Sequence, residues 1–310
     1  MTDLLWKVKE APMRFFRLLY AFIIADRING PYVHLKAKDN RVNLFEYRPD
    51  LHHVYKKCKI SRYNLGDYLG FVITEWMLSK KGLSLDTWVK KRKHLKCVGS
   101  NIYAGFQNAT IWGSGILQKP QDISRVNALL IHYPLTRLDI RAVRGPLTRD
   151  LLLKWGQKCP EVYGDPAILM PLIYQPKYEV KKDVLVIPQF VTEKAFREKY
   201  PELNMISMNT DDYKYVIDAI VSCKKLITSS LHAVILADSY GVPSVLFRGL
   251  LHRVDFKYLD YYYSTGRRNI HIADSFEEAM QMEPLPLPDL KGLQEGLIKT
   301  FPYDLWVENQ

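Results

Sequence analysis

Leu226-Ile-Thr-Ser-Ser-Leu-His-Ala-Val-Ile-Leu-Ala-Asp-Ser-Tyr-Gly-Val-Pro243 runs directly into Ser244-Val-Leu-Phe247. The apolar run Lys225–Ile227 reads as a strand. Thr228-Ser229-Ser230 interrupts it with the hydroxyl residues that favour helix starts. Leu231–Tyr240 then reads as a helix, with Gly241 and Pro243 as its stop signals. Ser244–Phe247 is a second strand. Two strands joined through one helix must lie parallel, which places this stretch in an α/β protein.

The same rhythm extends outward in both directions. Towards the N-terminus, Asp211–Cys223 and Thr192–Lys199 read as helices, and Asn204–Ser207 and Val184–Ile187 as strands. Further back come the helix Pro146–Trp155, closed by Gly156, and the strands Ile140–Val143, Thr110–Trp112 and Leu95–Gly99. An apolar helix, Tyr68–Ser79, has a plausible start at Asp67, and Val42–Tyr47 alternates like a strand. A last helix, Asp289–Lys299, follows the proline cluster 284–288. The proline-rich segment Pro166–Lys182 reads as a linker. Its position predicts a helical segment over 1–30 and two Rossmann-like domains, 31–170 and 171–310, facing each other across a cleft. In such sheets ligands sit beyond the carboxyl ends of the strands.

The chain has 310 residues, 47% apolar and 25% charged, which is ample material for such a core. Its net charge of +11 is uneven: residues 1–62 hold thirteen Lys and Arg against six Asp and Glu. That bias suits an anionic partner. No nucleic-acid-binding signature accompanies it, so nucleic acid is not expected. Phe15–Ala25 is too short to span a bilayer and no cleavage pattern follows it. It reads either as a buried first helix or as a surface helix on an anionic membrane, with Arg14, Arg17 and Arg27 towards headgroups. Cys58, Cys97, Cys159 and Cys223 lack zinc spacing and read as reduced thiols of a cytoplasmic protein.

The chemistry-bearing residues fall in strand-to-helix loops. His232 lies at the first turn of a helix, where unpaired N–H groups can hold an anion, together with Ser229, Ser230 and Leu231. It is either an exposed histidine beside a cap or a proton donor to a bound ligand. Arg144 ends a strand before Gly145-Pro146; its guanidinium is expected either to point into the cleft towards a carboxylate or phosphate or to form a structural salt bridge. Asp165, held extended before Pro166, either binds substrate or caps the linker. Asn64 and Asp67 pose the same choice: helix cap, or acceptor for a sugar hydroxyl. Gly113-Ser114-Gly115 is a loop at a strand end. Phe256–Tyr263 offers Lys257 to an acidic ligand and tyrosines to a sugar ring, or buries as an amphipathic stretch. A dinucleotide fingerprint, Walker loop, HExxH and GxSxG are all missing.

Taken together and in order, Asn64/Gly66/Asp67, Gly113/Ser114/Gly115, Val143/Arg144/Gly145/Pro146, Gly164/Asp165/Pro166, Ser229/Ser230/Leu231/His232 and Ala237/Asp238/Gly241/Pro243 resemble the polysaccharide pyruvyl transferase family. The resemblance runs from about residue 60 to residue 265. It implies a fold similar to the B-type glycosyltransferases, with acceptor binding on the N-terminal side and donor binding on the C-terminal side. It implies transfer of pyruvate from phosphoenolpyruvate to two hydroxyls of one sugar, on a glycan or lipid-linked oligosaccharide, with no metal or organic cofactor. The expected catalytic residues are His232 and Asp67. The expected substrate contacts are Arg144, Ser229, Ser230, Leu231, Lys257, Asn64, Gly113, Ser114 and Asp165. A nucleotide-sugar glycosyltransferase of the same architecture is the alternative, because fold alone does not decide substrate. The expected location is the cytoplasm, with a peripheral place at the inner membrane face if Phe15–Ala25 is a surface helix.

Overall fold

The computed structural model describes residues 32–34, 41–47, 63–91, 93–102, 109–117, 138–177, 179, 182–190, 192–248 and 255–307. The basic segment 1–30, Phe15–Ala25 and Cys58 lie outside these residues. Among the described residues, no helix is long and apolar enough to cross a membrane.

Two sheets organise the chain. The first has five strands in sequential order: β1 (Tyr32–His34), β2 (Val42–Tyr47), β3 (Lys93–Lys96), β4 (Thr110–Trp112) and β5 (Asp139–Ala142). Only the β1–β2 pair is antiparallel; β2 to β5 are parallel, with Leu44 opposite Leu95 and Ile111 opposite Ile140. The second sheet has three parallel strands, β6 (Lys182–Ile187), β7 (Cys223–Thr228) and β8 (Ser244–Leu246). Helix α1 (Leu65–Ser79) joins β2 to β3, and α2 (Pro146–Lys154) follows β5. Helices α3 (Glu193–Lys199) and α4 (Tyr213–Val221) join β6 to β7, and α5 (Leu231–Ser239) joins β7 to β8. Helices α6 (Phe256–Ser264), α7 (Phe276–Gln281) and α8 (Lys291–Thr300) complete the chain.

Helix α5 is apolar on every side, and seven of its nine residues are buried. A helix without a polar face has to be enclosed. It packs on β7, β8 and α4, and on a 3-10 segment, Pro166–Leu172, which also packs on α1. Each of its buried aliphatic side chains contributes about 1.5–3 kcal/mol relative to exposure.

That 3-10 segment corrects one sequence expectation. Its first five residues, Pro166 to Met170, are buried, and Ala167 to Met170 belong to a hydrophobic cluster that also contains Leu44 and Trp112 from the first sheet and Leu185 and Leu226 from the second. What the prolines suggest to be a linker is therefore a keystone in a core shared by both sheets. The reason is local: Pro166 and Pro171 prevent a regular helix, while Ala-Ile-Leu-Met between them supplies the apolar bulk. Two other expectations shift. Asn204–Ser207 forms no strand, only a single bridge between Met205 and Val186. Helix α1 begins earlier than expected, because Asn64 and not Asp67 is its cap: the Asn64 Oδ1 accepts the Gly66 N–H at 3.3 Å.

Candidate functional site

The loops at the carboxyl ends of β3, β4, β5 and β7 meet the start of α1 and the start of α6, where open α/β sheets bind ligands. His232, the second residue of α5, stands at their centre. Its ring is accommodated by Gly66: a Cβ on that glycine would lie 1.8 Å from His232 Nδ1. Its Nε2 points inward, 3.9 Å from Asp165 Oδ2, and neither atom has a hydrogen-bond partner. The side chain keeps 13% of its exposure, while that of Asp165 keeps none.

Electrostatics follow from this enclosure. Burial first, then the charges of Lys257 and Arg144, lower the His232 pKa to about 3, so the free protein holds a neutral imidazole. Burial and the Arg144 charge lower Lys257 to about 8. Lys257 is half-buried, with its Nζ 4.6 Å above the Tyr258 ring centroid, and among the described residues it has no carboxylate partner. Burial pushes Asp165 up to about 6, against the opposing pull of Arg144 and of amides from Ala167 and Gly99.

Arg144 departs from the expectation that its guanidinium points into the cleft. It is fully buried, and all three guanidinium nitrogens are engaged. Nε donates to Asp260 Oδ2 at 3.1 Å, Nη2 donates to Ile116 O at 2.6 Å, and Nη1 donates to Ser100 Oγ. Asp260 also accepts from the Thr148 N–H at 2.9 Å and hydroxyl at 2.7 Å. The reading of Arg144 as a structural salt bridge is thus the one its geometry favours. The partner comes from α6, 116 positions away, which no local pattern reveals. Two glycines make room for this pair: a Cβ on Gly115 would lie 2.4 Å from the Arg144 guanidinium carbon, and one on Gly145 would lie 1.9 Å from Asp260 O.

Several expected ligand contacts prove to be walls of the site. Ser114 Oγ is buried, 2.6 Å from Asn101 Oδ1 and 3.1 Å from Gly99 O. Gly113 has φ +82° and abuts Pro166, so it serves close packing. Ser229 Oγ accepts the Gln189 N–H at 2.8 Å, tying the β6 and β7 ends together. The Leu231 side chain is in the core. Tyr258, Tyr261 and Tyr262 are buried, their rings enclosed and unable to stack on a sugar. The Tyr258 hydroxyl donates to Ser229 O at 2.9 Å and that of Tyr261 to Asp238 Oδ2 at 2.8 Å. What remains open to a ligand is the first turn of α5, where Ser230 makes no side-chain cap, together with His232 and Lys257. Asp67 lies in the first turn of α1, its Oδ1 3.2 Å from where a Gly99 Cβ would stand. The sequence reading did not single out Ser100, Thr148 or Asp260. An aspartate amid the buried aromatics of Phe256–Tyr263, three residues after Lys257, was the available signal.

Gly66→Ala is a direct test of the cradle. The added methyl overlaps the imidazole, so the ring must leave its position. Turnover is expected to fall about 10²-fold, the cost of misplacing a reacting group by roughly 1 Å. The unfolding temperature should fall as well, because overpacking an enclosed ring outweighs alanine's better helix propensity, so turnover is compared on folded protein. Wild-type turnover in this variant would show that His232's position is unimportant.

The chain is 26% identical over 224 residues to the uncharacterised protein L143 of Acanthamoeba polyphaga mimivirus, covering 67% of this chain and 73% of the viral protein. A crystal structure of the functionally uncharacterised protein KP1_0663 from Klebsiella pneumoniae subsp. pneumoniae NTUH-K2044 is similar with a TM-score of 0.43 and 15% identity, over 64% of this chain and 84% of that one. The family profile of polysaccharide pyruvyl transferases matches residues 21–249, well over half of the 310 residues, and the chain therefore belongs to the polysaccharide pyruvyl transferase family.

Proposed function

We propose that the protein transfers pyruvate from phosphoenolpyruvate to two hydroxyls of one sugar in a glycan or lipid-linked oligosaccharide, forming a cyclic ketal. The observation that carries this reading is a neutral histidine at an uncapped helix start, inside the field of two cations. Phosphoenolpyruvate carries about three negative charges, and such an anion suits Lys257, the α5 amides and the Arg144 field together. Its binding removes the positive potential that disfavours imidazolium.

The chemistry then runs as follows. His232 protonates the methylene carbon, which becomes the methyl group and leaves a cation at the neighbouring carbon. One sugar hydroxyl attacks that carbon, phosphate departs, and the second hydroxyl closes the ketal. Of the two hydroxyl protons, one restores the acid and the other leaves on phosphate, so atoms and charge balance. In this reading Asp67 orients the acceptor hydroxyl. Activity on lipid-linked acceptors would suit a basic segment 1–30 resting on an anionic membrane.

Donor-dependent thermal stabilisation tests the reading. Phosphoenolpyruvate should raise the unfolding temperature, and a panel of nucleotide sugars should not; the reverse pattern would make the protein a glycosyltransferase. Donor binding should also take up protons. The His232 pKa is depressed in the free protein and rises when the anion binds, so affinity should increase as pH falls towards the bound-state pKa. Calorimetry in buffers of different ionisation enthalpy measures this directly, and an uptake of zero throughout pH 5–7 would contradict it.

A further inference from the structure

We infer that Asp165 is the positioning partner of His232, holding a proton on Nε2 so that Nδ1 is the nitrogen that exchanges protons with substrate. Two buried polar atoms without partners face each other at 3.9 Å: Asp165 Oδ2 and His232 Nε2. Leaving such atoms unmet in a buried site is costly, and each faces the other. Hydrogen bonds between catalytic groups are commonly long in the free enzyme and tighten in the complex.

The surroundings fix both partners. Asp165 Oδ1 accepts the Ala167 N–H at 3.1 Å, and Asp165 caps the 3-10 segment in the core keystone, so the carboxylate cannot swing towards a ligand. His232 cannot retreat, because its helix is enclosed on all sides. Nε2 is buried without a partner and turned to Asp165, which leaves Nδ1, the ring atom against Gly66, as the ring's other nitrogen. Above its pKa of about 6 the Asp165 carboxylate accepts and does not donate, so it selects the tautomer with hydrogen on Nε2. Nδ1 is then bare at rest, takes up a proton with the donor, and passes it to the methylene carbon. Asp165 therefore acts through His232 and is not a substrate contact. The catalytic half of this inference rests on the proposed pyruvyl transfer; the tautomer does not.

Nitrogen chemical shifts of histidine-labelled full-length protein decide it, with the His232→Gln spectrum assigning the resonance among eight histidines. The wild type should show His232 protonated on Nε2. In Asp165→Asn, the Ala167 N–H keeps the carboxamide oxygen, so the NH2 faces Nε2 and the proton should move to Nδ1. In that variant kcat should fall about 10²–10⁴-fold with KM for phosphoenolpyruvate unchanged. A wild-type His232 protonated on Nδ1 would overturn the inference, as would an Asp165→Asn variant with raised KM and intact kcat. Should Asp165→Asn not fold, the wild-type spectrum alone still decides. The Nε2–H tautomer in a protein inert towards phosphoenolpyruvate would support the pair while rejecting the donor.

Discussion

His232→Ala should lower kcat for pyruvyl transfer by about two orders of magnitude or more, the usual contribution of a positioned acid, while donor affinity above the bound-state pKa changes little and its rise at lower pH is lost. The second half of that expectation comes from charge. The free protein keeps His232 neutral, so its removal takes no cation away from the donor site. Lys257 and the α5 amides remain. Stability should also survive, because the ring is not hydrogen-bonded and fills a recess against a glycine. Single-turnover kinetics with equilibrium donor titration separate these quantities. A variant with near-wild-type turnover would remove His232 from the mechanism. One with lost donor binding and intact single-turnover rate would make it a binding residue.

Arg144→Ala should be the most damaging change to the fold. Arg144 and Asp260 are both fully buried and bonded to each other, and truncating one partner leaves a buried charge uncompensated. Such losses run to about 3–5 kcal/mol. Burial already holds the Asp260 pKa above the usual carboxylate range despite Arg144 and the two Thr148 bonds, so removing Arg144 should drive Asp260 towards its protonated form. Stability of the variant should then improve as pH falls into the carboxylate range, whereas acid commonly destabilises proteins. Arg144→Lys keeps the charge but cannot reach Asp260, Ser100 and Ile116 together, and should recover only part of the loss. The double variant Arg144→Ala/Asp260→Ala should cost less than the sum of the two single changes, since it leaves no unpaired charge. Denaturant unfolding of the wild type and the four variants, Asp260→Ala included, measures this. If Arg144→Ala unfolds like the wild type yet binds phosphoenolpyruvate weakly, Arg144 belongs to the donor and not to the junction between α6 and β5.

Much of the fold was legible because the signals were local. Strand patterns over Val42–Tyr47, Thr110–Trp112 and Ser244–Phe247 and the proline-started helix at Pro146 recur in the structure within a residue or two. Each is set by side-chain periodicity and by backbone chemistry within a few positions. The loops that converge on the site were legible for the same reason: glycines, hydroxyls and a histidine at strand ends are local features, and their order along the chain carried the family.

Burial and pairing were not legible, because they depend on what arrives from elsewhere in the chain. The sequence by itself determined the α/β rhythm, the placing of Gly66 and His232 about helix starts and of Asp165 at a strand end, and the kinship of the chain. Only the tertiary structure decided that Pro166–Leu172 is core rather than linker, that Arg144 is taken up by Asp260, and that Asp165 faces the buried edge of His232. The physical reason is range: hydrogen-bonding periodicity acts over three or four residues, whereas desolvation and charge pairing act between groups brought together where two sheets share one core.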